Sequence, residues 1–442
     1  MPDTELLERI DHLVVLMLEN RSFDHMLGFL YTDQGNRSPA GDPFEGLSGG
    51  ESNPDGDGGE VSVFRIDPTA AGAYFMPGAN PGEGFKATNR QLFGTPTPAP
   101  GQKPTNDGFL IDFTQTLQLH RDRHDSVYPG TTAADIMGCF TPQALPVLSG
   151  LASGYAVCDH WYSSVPTETL PNRAFACAAT SQGHMDDRTH TFTTPSIFGL
   201  LSQHNIDWAI YGYHAQPLTR GDFPDIAGAA ERHFGQFIDF KNAAAAGTLP
   251  AFTFLEPAWS STGNSQHPNY DVALGEQLIH DVYYALRNGP GWAKTLLVVT
   301  YDEHGGCYDH VPPPSGATPP DNAVGEFGFD FTRFGVRVPT VLISPLIEAG
   351  TVFRVPNGSP PLDHTALLKT LEQRWDLPSL TARDRDAPGI GAVLTRDQPR
   401  QDDPLADVIV PTSIGMNPAR TETSHLDQVH ADLVARGLIP ST

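Results

Sequence analysis

Several short apolar runs constrain this chain most. They are HLVVLML from His12, YAVCDHWY from Tyr155, IDWAIYGY from Ile206, TLLVVTYDE from Thr295 and RVPTVLIS from Arg337. Each is dense in Val, Ile, Leu and aromatic residues, and none alternates strictly with polar ones. Such runs suit buried parallel strands, covered by helices on both faces. The segments between them carry helical periods. ALGEQLIHDVYYALRN, from Ala273, sets Leu274, Leu278, Val282 and Leu286 along one apolar stripe. DHTALLKTLEQRW offers Asp363 as an N-cap ahead of Leu367, Leu368 and Leu371. Strands alternating with helices predict an α/β fold, a mostly parallel central sheet with helices on both faces.

Ala40 to Pro104 breaks this pattern. It is rich in Gly, Pro, Asn and Asp and reads as a cap or insertion over the sheet edge. Arg383–Asp403 is a second irregular, charged connection, and a final helix is expected over Ser424–Arg436. The expected organisation is a catalytic domain over 1–400, containing the 40–104 insertion, with a C-terminal extension over 401–442 packed on it.

Lys+Arg 27 against Asp+Glu 52 leaves a formal charge of −25. That field repels nucleic acid, and it repels anionic phosphates too unless a bound cation reverses the sign locally. Cys139, Cys158, Cys177 and Cys307 show neither CxxC spacing nor the density of a disulfide scaffold, so buried free thiols are expected over a Cys139–Cys158 bridge. The N-terminus shows no basic region, long apolar core or twin arginine. This predicts a cytoplasmic chain, or a secreted one if the sequence is a mature form. No motif specifies an oligomeric state.

Chemistry-bearing residues concentrate where strands give way to loops. Glu19-Asn20 follows the first run and Asp302-Glu303 the fourth. In open α/β sheets, ligands bind beyond the carboxyl ends of strands. Carboxylates gathered there need a cation between them, and oxygen ligation suits a hard divalent ion, Mg²⁺, Ca²⁺ or Mn²⁺, with Zn²⁺ also open. Either pair alone is an ordinary polar strand end; both together point to metal. Thr169, in Thr169-Leu170-Pro171-Asn172-Arg173, sits ahead of a helical stretch whose dipole favours incoming negative charge, and a metal or base would activate its hydroxyl as a nucleophile. Asn172 and Arg173 are candidates for binding phosphate oxygens. His267 and His310 are candidates for protonating a leaving alcohol. His304 is a candidate for holding the phosphoryl group or for supporting the neighbouring carboxylates.

These segments resemble the phosphoesterase family of bacterial and plant non-specific phospholipases C and a bacterial acid phosphatase. The resemblance runs from Ile10 to about Asp386, through ENRSFDH, FTPQALPVLSGLASGYAVCDHWYSSVP into TLPNR, HPNYDVALGEQLI, YDEHGGCYDHV, GVRVPTVLISP and DHTALLKTLEQRW. It implies an alkaline-phosphatase-like fold, with Glu19, Asn20, Asp302 and Glu303 as metal ligands, Thr169 as nucleophile and His267 lining the phosphate site. The chain shows neither the export signal nor the extra C-terminal domains that secreted bacterial relatives often carry. Around Asn106-Asp107-Gly108-Phe109 it lacks the His-rich stretch of some bacterial members and looks closer to the plant form. Thr169-x-Pro-x-Arg173 also resembles the sulfatase signature, but threonine cannot supply the aldehyde that chemistry needs.

The resemblance implies a phospholipase C that releases diacylglycerol through a phosphothreonine. A phosphomonoesterase and a non-catalytic protein binding a cation or lipid headgroup are the alternatives. Any transient membrane contact would come from Ala73–Phe85, with Tyr74, Phe75, Met76 and Phe85, unless those aromatics simply pack the cap.

Overall fold

The computed structural model describes residues 3–417 and 423–440. Residues 1–2 of the N-terminus, and 418–422 and 441–442 of the expected C-terminal extension, lie outside them. An eight-stranded sheet forms the centre. Its strands are β1 (His12–Leu18), β2 (Ala156–Cys158), β3 (Trp208–Gly212), β4 (Phe234–Gln236), β5 (Phe252–Leu255), β6 (Thr295–Tyr301), β7 (Thr340–Ile343) and β8 (Thr351–Val352), in the spatial order β8-β2-β7-β6-β1-β5-β3-β4. Every residue of β3, β5, β6 and β7 is buried, as is β1 after His12. Strands that present no solvent face explain why their sequences do not alternate.

The helices that matter below are α1 (Phe85–Phe93), α2 (Phe109–Arg123), α3 (Pro146–Gly154), α4 (Thr169–Ala178), α5 (Val272–Arg287), α6 (Thr365–Trp375) and α7 (His425–Ala435). The fold is mixed α/β with a large, mostly parallel central sheet and helices around it, as expected, and four details differ. The run RVPTVLIS is not parallel, because β7 runs antiparallel to both β6 and β2. The run from Tyr155 splits at Asp159-His160, and Trp161–Tyr162 pairs instead with Leu362–Asp363. Asp159 ends the strand because its carboxylate receives the backbone N–H of Glu45 and the guanidinium of Arg354. On α5, Leu274 is 41% exposed; the buried stripe is Leu278, Val282 and Leu286, widened by Ile279 and Tyr283. His364 rather than Asp363 is the N-cap of α6, although the Asp363 carboxylate still accepts the N–H of Thr365 at 3.0 Å.

All four cysteines are buried and free. Tyr74 and Phe75 are buried and Phe85 nearly so, with Tyr74 in the main core and Phe75 stacked on Tyr128. Tyr74 and Phe75 therefore pack the cap inward. Among the described residues no helix is long and apolar enough to cross a membrane.

Candidate active site

β1 and β6 are parallel neighbours in register, from His12 beside Thr295 to Leu18 beside Tyr301. The residues that follow therefore leave the sheet side by side, Glu19-Asn20 from one strand and Asp302-Glu303 from the other. Asp302 ties them together. Its Oδ1 accepts the backbone N–H groups of Asn20 (2.9 Å) and Glu303 (2.8 Å), and its Oδ2 accepts Nε–H of Arg173 (2.9 Å). Asn20 takes the left-handed conformation (φ 57°), which Asn tolerates better than most residues. Gly305 then turns the chain so closely over Asn20 that a Cβ there would lie 2.0 Å from the Asn20 carbonyl oxygen; only glycine fits.

Thr169 is the first residue of α4, and its hydroxyl donates to Asn20 Oδ1 at 3.0 Å. The turn before it is held by Asn172, whose Nδ2–H groups donate to the carbonyls of Val165, Thr167 and Glu168 while its Oδ1 accepts the Val165 N–H. Asn172 is thus fully committed within the protein. The N–H of Leu170 donates to Asp187 Oδ1 at 2.7 Å. Arg173 reaches back to the β1 carbonyls of Met17 (3.0 Å) and Leu18 (3.2 Å) and lies over the Trp259 ring.

A cavity of about 180 Å³ opens on Thr169, lined also by Glu19, Asn80, Glu83, Asp187, Trp259 and His267, and by Ser424, His425 and Leu426 from the start of α7. Its electrostatics are dominated by buried acids. Burial pushes Glu19 up to about 7. Burial, then the neighbouring carboxylates, push Asp187 and Glu303 well above the usual range. Burial alone would lower His267, yet Glu83, 3.2 Å from its Nε2, raises it to about 9. The Glu83 carboxylate thus favours the imidazolium form of His267. Glu19 Oε2, Glu303 Oε1 and Arg173 Nη1 are buried with no hydrogen-bond partner among the described residues. Orphaned groups of this kind are costly and call for a ligand.

The structure thus gathers Glu19, Asn20, Asp302, Glu303, Thr169, Arg173 and His267 at one place. Two other candidates sit elsewhere in the scaffold. His304 is buried; its Nε2 contacts Gln91 Oε1 at 2.7 Å, and burial pushes it down to about 3. Its Nδ1 lies 3.1 Å from Glu303 Oε2, an oxygen that takes the Gly305 N–H at 2.7 Å, so the ring packs beside that carboxylate. His310 does not line the cavity. Its Nδ1 meets Asp24 Oδ2 at 2.6 Å, and Arg337 donates to Asp24 Oδ1 and Asp309 Oδ1, both at 2.9 Å. Asp24, Asp309 and His310 offer ligand atoms close enough to hold a metal ion, but Arg337 already supplies the counter-charge there.

Burial would lower His310, and Asp24 overrides it, raising the ring to about 9. A histidine raised on folding contributes stability that is present in full below its unfolded value and lost as pH rises through the folded one. His310→Gln should therefore cost about 2 kcal/mol near about pH 6 and little near about pH 10, by urea unfolding at each pH. An equal cost at both would show that the ring is never charged.

The cavity residues not expected from sequence are Asn80, Glu83, Asp187, Trp259 and Ser424–Leu426. A lone acid between glycines, Gly82-Glu83-Gly84, was the visible signal for one of them.

The profile described as the Phosphoesterase family matches residues 10–378. The chain is 37% identical over 420 residues to Non-specific phospholipase C6 of Arabidopsis thaliana, covering 90% of this chain and 74% of that one. It is 28% identical over 415 residues to Phospholipase C A of Mycobacterium tuberculosis, covering 84% and 73%. A crystal structure of a protein in the alkaline phosphatase superfamily from Vibrio parahaemolyticus aligns at TM-score 0.30 with 11% identity, over 55% of this chain and 62% of that one, a likeness too slight to carry an argument.

Proposed function

The chain belongs to the phosphoesterase family and is a hydrolase of phosphoric esters, and on that premise we propose that it is a metal-dependent phospholipase C working through a phosphothreonine at Thr169. The observation that carries this reading is the Thr169 hydroxyl, 3.0 Å from Asn20 Oδ1 in a cavity shared with Glu19 and His267. The plant and mycobacterial relatives bear the name phospholipase C.

Glu19, Asn20, Asp302 and Glu303 would hold a divalent ion. The orphaned oxygens of Glu19 and Glu303 fit that role, and a carboxylate such as Asp302 keeps a lone pair beyond the three N–H groups it accepts. When bound, the ion supplies the positive charge that an alkoxide and a phosphate need.

The chain's own groups do the rest. The Thr169 oxygen attacks phosphorus, and its proton passes to Asp187, the carboxylate on the cavity wall that neither holds the ion nor pairs with His267. The bond from phosphorus to the glycerol oxygen breaks, and His267 gives its proton to that oxygen, releasing diacylglycerol. Neutral His267 then takes a proton from water as the water attacks the phosphothreonine. The headgroup phosphate leaves, and Thr169 recovers its proton. Glu83, 3.2 Å from its Nε2, keeps His267 oriented and favours its charged form. In this reading 40–104 is a cap that supplies Asn80 and Glu83, and the 401–442 extension completes the cavity wall through Ser424–Leu426.

A cavity of about 180 Å³ is too small for a whole phospholipid and takes only the headgroup and phosphate. The same volume favours a phosphomonoester as the second reading. Turnover of a choline phospholipid and of an aryl phosphate, each with added metal, separates them. A diester preference of at least about tenfold in kcat/KM is expected. The opposite preference assigns a phosphatase, and turnover of neither leaves a binding protein.

A further inference from the structure

A second, larger groove of about 680 Å³ contains none of the site residues above. Its walls are α1, the proline-rich stretch 96–104 and residues 313–334, and its charged residues are Lys86, Lys103, Arg333 and Asp330. In a chain with a formal charge of −25, three cations against one acid mark this face out. Lys86 and Lys103 are exposed and make no ion pair among the described residues. Arg333 lies over the rings of Phe85, Phe93 and Phe329 at 5.8, 5.1 and 5.4 Å, donates to Asn89 Oδ1 at 3.1 Å, and lends its charge from beneath the groove floor, with its Nη1 buried. The nearby acids have local partners, the exposed Asp321 taking the Thr180 hydroxyl and the Ala323 N–H. Glu326 accepts the Met185 N–H and pairs with Arg188, and Asp330 accepts the N–H and hydroxyl of Thr332.

The apolar tip beside these cations points outward. Val324 is 77% exposed and Phe327 57% exposed. Phe327 holds the left-handed conformation (φ 60°), costly for a bulky residue, and lies parallel to Phe85 at 5.7 Å with Lys86 Nζ 5.6 Å from its ring. An aromatic and a valine held in water beside unpaired lysines form the usual pattern for contact with a charged lipid interface.

We propose that Val324 and Phe327, flanked by the exposed Lys86 and Lys103, dock the protein on an anionic phospholipid surface. The proposal deepens the phospholipase reading. The segment that supplies Asn80 and Glu83 to the catalytic cavity continues directly into Phe85 and Lys86 of this groove. The lipid phosphates are the complementary charge that the rest of this acidic surface would repel, and the apolar tip enters between the headgroups.

Flotation of the full chain, with a chelator present to prevent turnover, tests this on two kinds of vesicle: phosphatidylcholine alone, and an equal mixture with phosphatidylglycerol. The protein should float with the mixed vesicles only, and less as salt rises. Replacing Lys86 and Lys103 together by alanine should weaken partitioning about thirtyfold. The pair Val324→Ser and Phe327→Ser should also weaken it while leaving the melting temperature and turnover of a soluble short-chain diester unchanged. A chain that stays in solution with both vesicles, or variants that float as wild type does, overturns the docking surface. Flotation without any diester turnover would support the surface and remove the phospholipase reading instead.

Discussion

Replacing Thr169 by alanine is expected to abolish turnover, on the order of a 10⁴-fold loss in kcat or more, while leaving the fold and bound metal in place. In the first turn of α4 it is the Thr169 hydroxyl that faces the cavity, held by a single bond to Asn20 Oδ1. Leu170 N–H is committed to Asp187, and Asn172 to the carbonyls of the preceding turn. The alanine variant loses one hydrogen bond, to Asn20 Oδ1, a stability cost of about 1–3 kcal/mol that a large domain absorbs. Thr169→Ser keeps an oxygen in the same position and should recover much of the activity. Acid quenching during turnover should capture a phosphorylated chain for wild type and none for the alanine variant. An alanine variant retaining more than about a tenth of wild-type turnover would remove Thr169 as the nucleophile.

Much of this site was legible because it is built from strand ends. A strand buried on both faces announces itself by its composition, and a pair of polar residues directly after one marks the sheet edge. Two such pairs, after Leu18 and after Tyr301, became one cluster because the strands pair in register. The direction of Thr340–Ile343 was not legible, since a buried strand has the same composition whichever way it runs. Nor was the partner of His267. Glu83 lies far away in sequence, within a segment whose Gly and Pro content says only that it is irregular.

His310 shows the opposite error. It follows Asp302-Glu303 closely in sequence, yet Gly305 and Gly306, both at positive φ, turn the chain away and deliver it to Asp24 and Arg337. Asn172 shows another. An amide beside a candidate nucleophile looks like a phosphate ligand until its donors are counted and found spent.

Chelation should take activity down by on the order of 10³-fold and lower the melting temperature, both restored by one of Mg²⁺, Ca²⁺, Mn²⁺ or Zn²⁺. The reason is a local charge imbalance. Glu19, Glu83, Asp187, Asp302 and Glu303 gather, among the described residues, with Arg173 and His267 as the cations against them, five acids to two bases. An ion bound at a hundred to a thousand times its Kd would stabilise the folded chain by about 3–4 kcal/mol. Glu303→Gln separates this from a general salt effect, because its two consequences have opposite signs. Without metal, the glutamine variant should melt higher than wild type, since it removes a carboxylate pressed against Asp302, Glu83 and Asp187. With metal, it should gain less, since an anionic ligand is gone and affinity should fall about tenfold or more. Melting curves of both proteins with chelator and with each ion read the two effects together. A chelated wild-type chain, free of metal by elemental analysis yet fully active, would sink the cation, as would equal metal-induced shifts in both proteins.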